Sequence, residues 1–317
     1  MRAVLEMEEP AASAIKSGNR EVTVGAALRG RPSLGRSRIT RSNCPACFRN
    51  LRRAPLLAVF GVLAGYATVS AQTGAGASTV PDANPGRPTV STPATLTPVG
   101  YLQFETGALA AAQSPEFSSR YSVAEVIKFS INSRVEFLAS EEPFVHFTAR
   151  GNPRSLPAEL FLGAQAVISP GDGAKPTVAA GYVRRVYDGG AAELDLGSPV
   201  NSFLVLASAD VKGFHYDANA VLNELRQGLV RRPQFGQTLS ISHALGRFTL
   251  SGEIWHFSQP FLSGNAVGNL WAVSYAVRKN LVIDGGFNRG LTATSTRWEA
   301  FVGFTYLLPH RIGGPGN

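Results

Sequence analysis

Between about residue 101 and residue 308, the chain repeats short stretches in which apolar and polar residues alternate. The connections between these stretches are alternately short and long, as where the two-residue turn Asn132-Ser133 precedes about 19 residues around Glu141 to Ala158. Alternation with a period of two gives a β-strand one apolar and one polar face. Membrane barrels join such strands by short periplasmic turns and longer outer loops, so the pattern predicts a transmembrane barrel.

Four consecutive stretches near the C-terminus alternate most clearly, at 247–257, 270–278, 281–288 and 297–308. Eight looser candidates precede them, which predicts an all-β, antiparallel, up-and-down barrel of about 12 strands. An even strand number places both chain ends on the side of the short turns, which is the periplasm in this topology. One of the longer connections, about 10 residues, is expected through Arg231-Arg232-Pro233.

The polar face carries too many charged side chains for a dry core, because each would cost several kcal/mol if it were buried unpaired. The apolar face is therefore expected to contact lipid and the polar face to line the lumen. The candidate lumen-lining residues are Glu105, Lys128, Arg134, Glu136, His215, Asp217, Asn219, Glu253, Asp284, Asn288, Arg297 and Glu299. Glu125 falls on the apolar side of its stretch, which a β-bulge would repair.

Four aromatic residues, Trp271, Tyr275, Trp298 and Tyr306, share the apolar face and lie near the ends of the predicted strands. This is the position of the interfacial aromatic girdle in membrane barrels. A secreted β-sandwich would give the same period of two, but it does not explain the alternation of connection lengths.

The N-terminal third is predicted to carry export signals rather than folded structure. Residues 49–71 read as a signal peptide, with arginines, an apolar run at 54–64 and small residues at the cleavage position; an anchoring helix is the alternative. Residues 1–48 before it are a disordered extension or a misassigned start. Residues 72–98, rich in Gly, Ala, Pro, Ser and Thr, predict a flexible periplasmic lead-in. The barrel then spans 99–308, and 309–317 form a tail.

The net charge of +8 belongs almost entirely to this leader. Residues 1–71 contain 11 Lys and Arg against 4 Asp and Glu, whereas residues 72–317 contain 19 against 18. Without a basic stripe in the exported part, nucleic acid is not an expected partner. Cys44 and Cys47 stand alone without a second ligand pair, so neither a metal site nor a cofactor is predicted.

Several segments resemble a bacterial outer-membrane barrel family labelled after the meta-cleavage pathway of phenol degradation, whose members are described as transporters. The resemblance covers about 87–308 and is carried by 87–98, by 126–136 through its turn, by 213–219 and by 284–291. It implies an outer-membrane barrel and a route for small hydrophobic or aromatic compounds. The chain departs from usual barrels in the nine residues that follow the last strand, 309–317.

Three functions are considered from the sequence. The first is passive passage of small solutes through a lumen whose mixed charges argue against strong ion selectivity. The second is a structural or partner-binding barrel in which the same residues form a network that plugs the lumen. The third, an enzyme, is not expected: His215 with Asp217, and Ser240 and Ser242 with His243, are the available clusters, and the alternation points His243 away from the two serines. Membrane lipid and a small solute are the implied partners.

Overall fold

The computed structural model describes residues 80–312, with the exception of residues 193, 195, 196 and 198. The predicted signal peptide at 49–71 and the extension at 1–48 lie outside the described residues. Within the described part the chain forms thirteen β-strands. No helix there is long and apolar enough to cross a membrane.

The strands follow one another along the chain with short connections. They are β1 (Leu102–Ala112), β2 (Ser119–Asn132), β3 (Val135–Ala149), β4 (Asn152–Leu156), β5 (Glu159–Ser169), β6 (Thr177–Asp188), β7 (Pro199–Val211), β8 (Phe214–Gln227), β9 (Val230–Leu245), β10 (Phe248–Ser258), β11 (Asn265–Arg278), β12 (Leu281–Gly290) and β13 (Trp298–Leu307).

Twelve of these strands close into one antiparallel barrel, which confirms the predicted fold class. Each barrel strand pairs with its neighbours in sequence, β3 pairs directly with β5, and β1 pairs with β13 to complete the ring. The short β4 pairs only with the end of β3 that lies away from the chain termini. Closure leaves no unpaired sheet edge along the barrel wall.

The polarity of the barrel is inverted relative to a soluble protein. Large apolar side chains are exposed on the outer surface, among them Phe137, Phe203, Val205, Phe214, Leu250, Ile254 and Val302. Charged and amide side chains are buried on the inner face, among them Gln103, Glu105, Lys128, Glu136, Gln165, Asp217, Glu253 and Asp284. This distribution is the one required of a barrel whose outer wall contacts hydrocarbon.

The strands extend further than the sequence predicts on the side away from the termini. The expected 10-residue connection through Arg231-Arg232-Pro233 is wrong, because β8 and β9 are joined by Gly228 and Leu229 alone. The expected long loop around 141–158 is mostly strand, since β3 continues to Ala149 and turns back into β4. On the termini side the connections are short, as predicted, and the two-residue turn expected at Asn132-Ser133 lies one residue later, at Ser133-Arg134.

Glu125 remains on the outer face. The pairing of β2 with β1 is continuous there, with Glu125 opposite Thr106, and on its other side Glu125 lies opposite Glu141. A register shift between Val123 and Glu125 does interrupt the pairing with β3. The irregularity anticipated from the sequence is therefore present, but it displaces residues of β3 and does not turn Glu125 inward.

Candidate functional site

Residues 84–98, which we term the inserted segment, lie inside the barrel. The chain approaches past the β11–β12 turn, where Ala83 N donates to Lys279 O at 2.8 Å. The segment then makes hydrogen bonds to inward side chains of β1, β2, β3, β5, β7, β8, β9, β10 and β12. Contacts with strands all around the ring are possible only from the lumen. The predicted periplasmic location of the lead-in is therefore wrong for these residues.

Buried carboxylates hold the backbone of the inserted segment. Glu253 accepts hydrogen bonds from Val90 N at 2.7 Å, from Ser91 N at 2.7 Å and from Ser91 Oγ at 2.6 Å. Glu136 accepts from Thr97 N at 2.8 Å and from Thr97 Oγ1 at 2.5 Å. Hydrogen bonds to an ionised acceptor are stronger than neutral ones. These glutamates thus replace the water that the backbone N–H groups would otherwise need.

Amide and hydroxyl groups anchor the middle of the segment on the opposite wall. Asn219 accepts from Thr92 N at 2.7 Å and donates to Thr92 O at 2.9 Å, so its side chain pairs with both backbone groups. Ser208 Oγ accepts from Ala94 N at 2.7 Å and donates to Asp217 at 2.5 Å. The methyl group of Ala94 packs into an apolar cluster that contains Leu206. Polar and apolar contacts therefore fix the same short stretch.

Arg87 inserts into a recess of the opposite wall. Its Nη2 lies 3.2 Å from Oδ1 of Asp284, and its guanidinium lies 6.0 Å from the ring centre of Phe301. Gly107 and Gly303 face each other across β1 and β13, and a Cβ at either position would collide with the guanidinium. The two glycines therefore provide the space in which the Arg87–Asp284 ion pair forms.

Trp255 and Phe257 form an aromatic surface on the inner face that the sequence analysis missed. Their rings lie over Gly268 and Gly236, their direct partners on the neighbouring strands. Trp255 Nε1 donates to Asn288 Oδ1 at 2.9 Å. The signal was available, because both aromatics are in phase with Glu253 on the polar side of β10. The two residues were not identified as lumen-lining because their side chains are apolar and the lumen face was expected to be polar.

The close fit of Phe257 over Gly236 gives a testable prediction. In the Gly236→Ala variant a new Cβ would overlap the buried Phe257 ring, so we expect the free energy of unfolding to fall by about 1–3 kcal/mol. The matched control is Gly181→Ala, whose Cβ would meet Leu204 at 3.5 Å and the backbone oxygen of Ala164 at 3.8 Å, both ordinary contact distances. Urea unfolding in lipid vesicles, read as the heat-dependent band shift on a gel, measures both. Equal stability of the two variants would contradict the packing described.

The inserted segment divides the lumen into two cavities. One, of about 430 Å³, lies along the wall formed by β1 to β3 and β5 to β8 and is lined by Phe161, Leu204 and Val221 among others. The second, of about 270 Å³, lies against β10 to β13 and β1 and is lined by Trp255, Leu270 and Phe301. Arg87, Thr89, Val90 and Phe257 border both. Each cavity combines apolar walls with a few polar groups.

The structure places ten of the twelve candidate lumen residues on the inner face. These are Glu105, Lys128, Glu136, His215, Asp217, Asn219, Glu253, Asp284, Asn288 and Glu299, of which His215 is partly exposed and the others are buried. Lys128 Nζ lies 2.6 Å from Glu105 Oε1, which also accepts from Gly86 N. The lumen position is wrong for Arg134 and Arg297, which lie exposed in connections at opposite ends of the barrel.

The four predicted girdle aromatics all lie on the outer face. Trp298 and Tyr306 are near opposite ends of β13, and Tyr275 packs against Phe248 with ring centres 4.8 Å apart. The predicted strand-end position is wrong for Trp271, because β11 already begins at Asn265.

Of the two clusters considered for catalysis, one has its side chains in hydrogen-bond contact and the other has them on opposite faces of its strand. His215 bonds to two carboxylates, through Nδ1 to Asp210 at 2.8 Å and through Nε2 to Asp217 at 3.2 Å. His243 faces outward, where its Nδ1 lies 2.8 Å from Gly213 O, whereas Ser240 and Ser242 of the same strand point to the other face. Among the described residues no three His, Cys, Asp or Glu side chains are grouped as a metal site requires.

Comparisons with known proteins return similar folds at low sequence identity. No protein-family model and no curated protein matches the chain. A NanC porin structure matches with a TM-score of 0.46 and 12% identity, covering 65% of this chain and 98% of the other. The CymD monoaromatic hydrocarbon channel matches with a TM-score of 0.39 and 10% identity, covering 66% and 88%.

The translocator domain of the autotransporter NalP from Neisseria meningitidis gives the same TM-score of 0.39 at 10% identity, covering 66% and 89%. Because all three TM-scores lie below 0.5, the assignment of the fold depends on the closed sheet itself. The resemblance to the phenol-degradation family stays an expectation.

Proposed function

We propose that this chain is an outer-membrane channel for the passive passage of small solutes, in which the inserted segment narrows the lumen. The observation that carries the proposal is the pair of cavities beside the segment. A barrel of twelve strands is wide enough to hold a peptide segment and still leave space for a small solute. Location in the outer membrane is supported by the closed barrel with an apolar outer wall, which is the structure that bacterial outer membranes accept.

Small aromatic or hydrophobic compounds are the proposed solutes. Trp255, Phe257 and Phe301 present ring surfaces to the smaller cavity, and Asn288 and Glu299 add polar groups at its edge. A cavity of about 270 Å³ is near the lower end of the range that small-molecule sites occupy. This composition agrees with the substrate class that the family resemblance implies.

The alternative is a plugged structural or partner-binding barrel. It is favoured by one specific observation, the hydrogen bonds of the inserted segment to nine of the twelve barrel strands. A segment held at so many points resists displacement, because its anchors must break together. The two functions differ in whether solutes pass while the segment is in place.

A measurement of solute transport by the intact chain distinguishes the channel from the plugged barrel. We expect liposomes that contain the purified barrel to take up aromatic alcohols about the size of toluene faster than empty liposomes do. We also expect the Trp255→Ala substitution to change the uptake rate of these alcohols more than it changes the uptake rate of glycerol. The matched control is Trp271→Ala, which removes an equally large ring from the outer face. If neither aromatic alcohols nor ions cross the wild-type barrel, the plugged alternative is correct.

A further inference from the structure

On the outer face of β6 to β9, a row of apolar and aromatic side chains is followed directly by a row that contains two charged side chains. Four exposed side chains, which we term the apolar row, lie opposite one another across these strands: Tyr182, Phe203, Leu222 and Phe235. Two residues further from the chain termini along each strand lies the second row, which consists of Arg184, Asn201, Glu224 and Pro233. A change within one repeat of the strand marks the edge of the hydrocarbon on this side of the barrel.

Glu224 has both carboxylate oxygens engaged within this second row. Asn201 Nδ2 donates to Oε2 at 2.5 Å, and Arg231 Nη1 donates to Oε1 at 2.6 Å. Asn201 is itself held by the hydroxyl of Tyr182 at 2.7 Å. The chain of hydrogen bonds orients Arg231 just above the apolar row.

Arginines exceed acids in this region of the outer face. Arg184, Arg226 and Arg231 are all exposed there, and Glu224 is the acid that lies among them. Arg226 and Arg231 are direct cross-strand partners, so two like charges face each other. Such a pair is destabilising by itself. An anion held between the two guanidinium groups would turn this repulsion into attraction.

A cavity of about 260 Å³ lies at the same place. Its lining includes Phe203 and Leu222 from the apolar row together with Glu224, Arg231 and Pro233. Arg232 also borders it, but its Nη1 donates to Pro260 O at 2.5 Å and its guanidinium lies over Phe261. The cavity thus has hydrocarbon walls on one side and a guanidinium on the other, which suits an amphiphile with an anionic head.

We propose that this patch binds a phosphorylated lipid of the outer leaflet. Its phosphate would bridge Arg226 and Arg231, since guanidinium groups pair with phosphate through two parallel hydrogen bonds. Its acyl chains would lie on Tyr182, Phe203, Leu222 and Phe235. The inference rests on the proposed outer-membrane location, which puts the end of the barrel away from the termini in the outer leaflet.

Thermal stabilisation by a defined lipid tests the site. Purified barrel in non-ionic detergent is titrated with lipid A that carries both phosphates and, separately, with the same lipid after removal of the phosphates. We expect only the phosphorylated lipid to raise the melting temperature. In the Arg226→Gln/Arg231→Gln variant, binding should be roughly tenfold weaker. Without lipid this variant should be close to wild type in stability, because the loss of the like-charge pair offsets the loss of the exposed Arg231–Glu224 ion pair.

The matched control is Arg150→Gln/Arg154→Gln, which removes the same charge from the exposed β3–β4 hairpin. If this control binds the lipid with wild-type affinity, the site is local. If its affinity falls as much as that of the Arg226→Gln/Arg231→Gln variant, the effect is one of general charge and the proposal is overturned. Equal stabilisation by the dephosphorylated lipid, or by inorganic phosphate at the same concentration, also overturns it. Solute uptake should be unchanged in both arginine variants, so failure here is distinct from failure of the channel.

Discussion

Replacing residues 84–97 with a Gly/Ser sequence of equal length is expected to raise the conductance of single barrels several-fold in planar bilayers. With glycine at positions 91 and 97, the replacement keeps the length of the chain but removes the Arg87 side chain and the hydroxyl groups of Ser91 and Thr97 that anchor the segment. Without them only backbone hydrogen bonds to groups such as Glu253 and Glu136 remain, and a glycine-rich chain loses more conformational freedom when it is held in place. The segment should then leave the lumen, so that the two cavities merge. The measurement is the distribution of current steps, compared with wild type in the same salt.

A disulfide lock provides the matched control. Ser91 Oγ and Thr238 Oγ1 lie only 2.7 Å apart, so cysteines at these positions are close enough to form a disulfide. Residues 72–317 contain no cysteine, and changing Cys44 and Cys47 to serine leaves the engineered pair alone. The oxidised variant should conduct no more than wild type. Large steps from the locked barrel, or unchanged steps after the Gly/Ser replacement, would show that the segment does not limit passage.

The barrel itself could be predicted from local patterns because its determinants are local. The period of two on β10 to β13 and the excess of charge on one face fix both the strand type and the inverted polarity. The extension of β3 and β9 beyond their expected ends could not be predicted from the sequence. Polar residues such as Arg231 and Arg232 interrupt the alternation of apolar and polar residues where the strands leave the hydrocarbon. Hydrogen bonding to the neighbouring strand continues there regardless of side-chain polarity.

The position of the inserted segment could not be predicted for a different reason. Residues 84–98 have the composition of a chain that cannot form its own core. Their order comes from partners far away in sequence, as in the 163-residue separation between Val90 and Glu253. The inward charges gave the only indication, because carboxylates such as Glu253 and Glu136 need donors. The sequence does not show whether water, a solute or the chain's own backbone supplies them.

The second large effect is expected at the buried pair of Lys128 and Glu105. Their charged atoms lie 2.6 Å apart, and the side chains are only 9% and 2% exposed. In the Lys128→Met variant Glu105 keeps hydrogen bonds from Gln103 Nε2 and Gly86 N but loses its counter-charge. Breaking a buried ion pair by removing one partner typically costs about 3–5 kcal/mol. We expect a loss of that size in the free energy of unfolding, measured by urea titration in lipid vesicles.

A double-mutant cycle isolates the charge effect from the loss of packing. The Lys128→Met/Glu105→Gln variant should recover most of the loss, because no unpaired charge then remains at this pair of positions. Arg134→Met removes a positive charge from the exposed β2–β3 turn and is expected to change stability by no more than about 0.5 kcal/mol. If the double variant were as unstable as the sum of its single changes, the two groups would act independently. The inner wall would then be stabilised by the hydrogen bonds to Gly86 and Gln103 rather than by the ion pair.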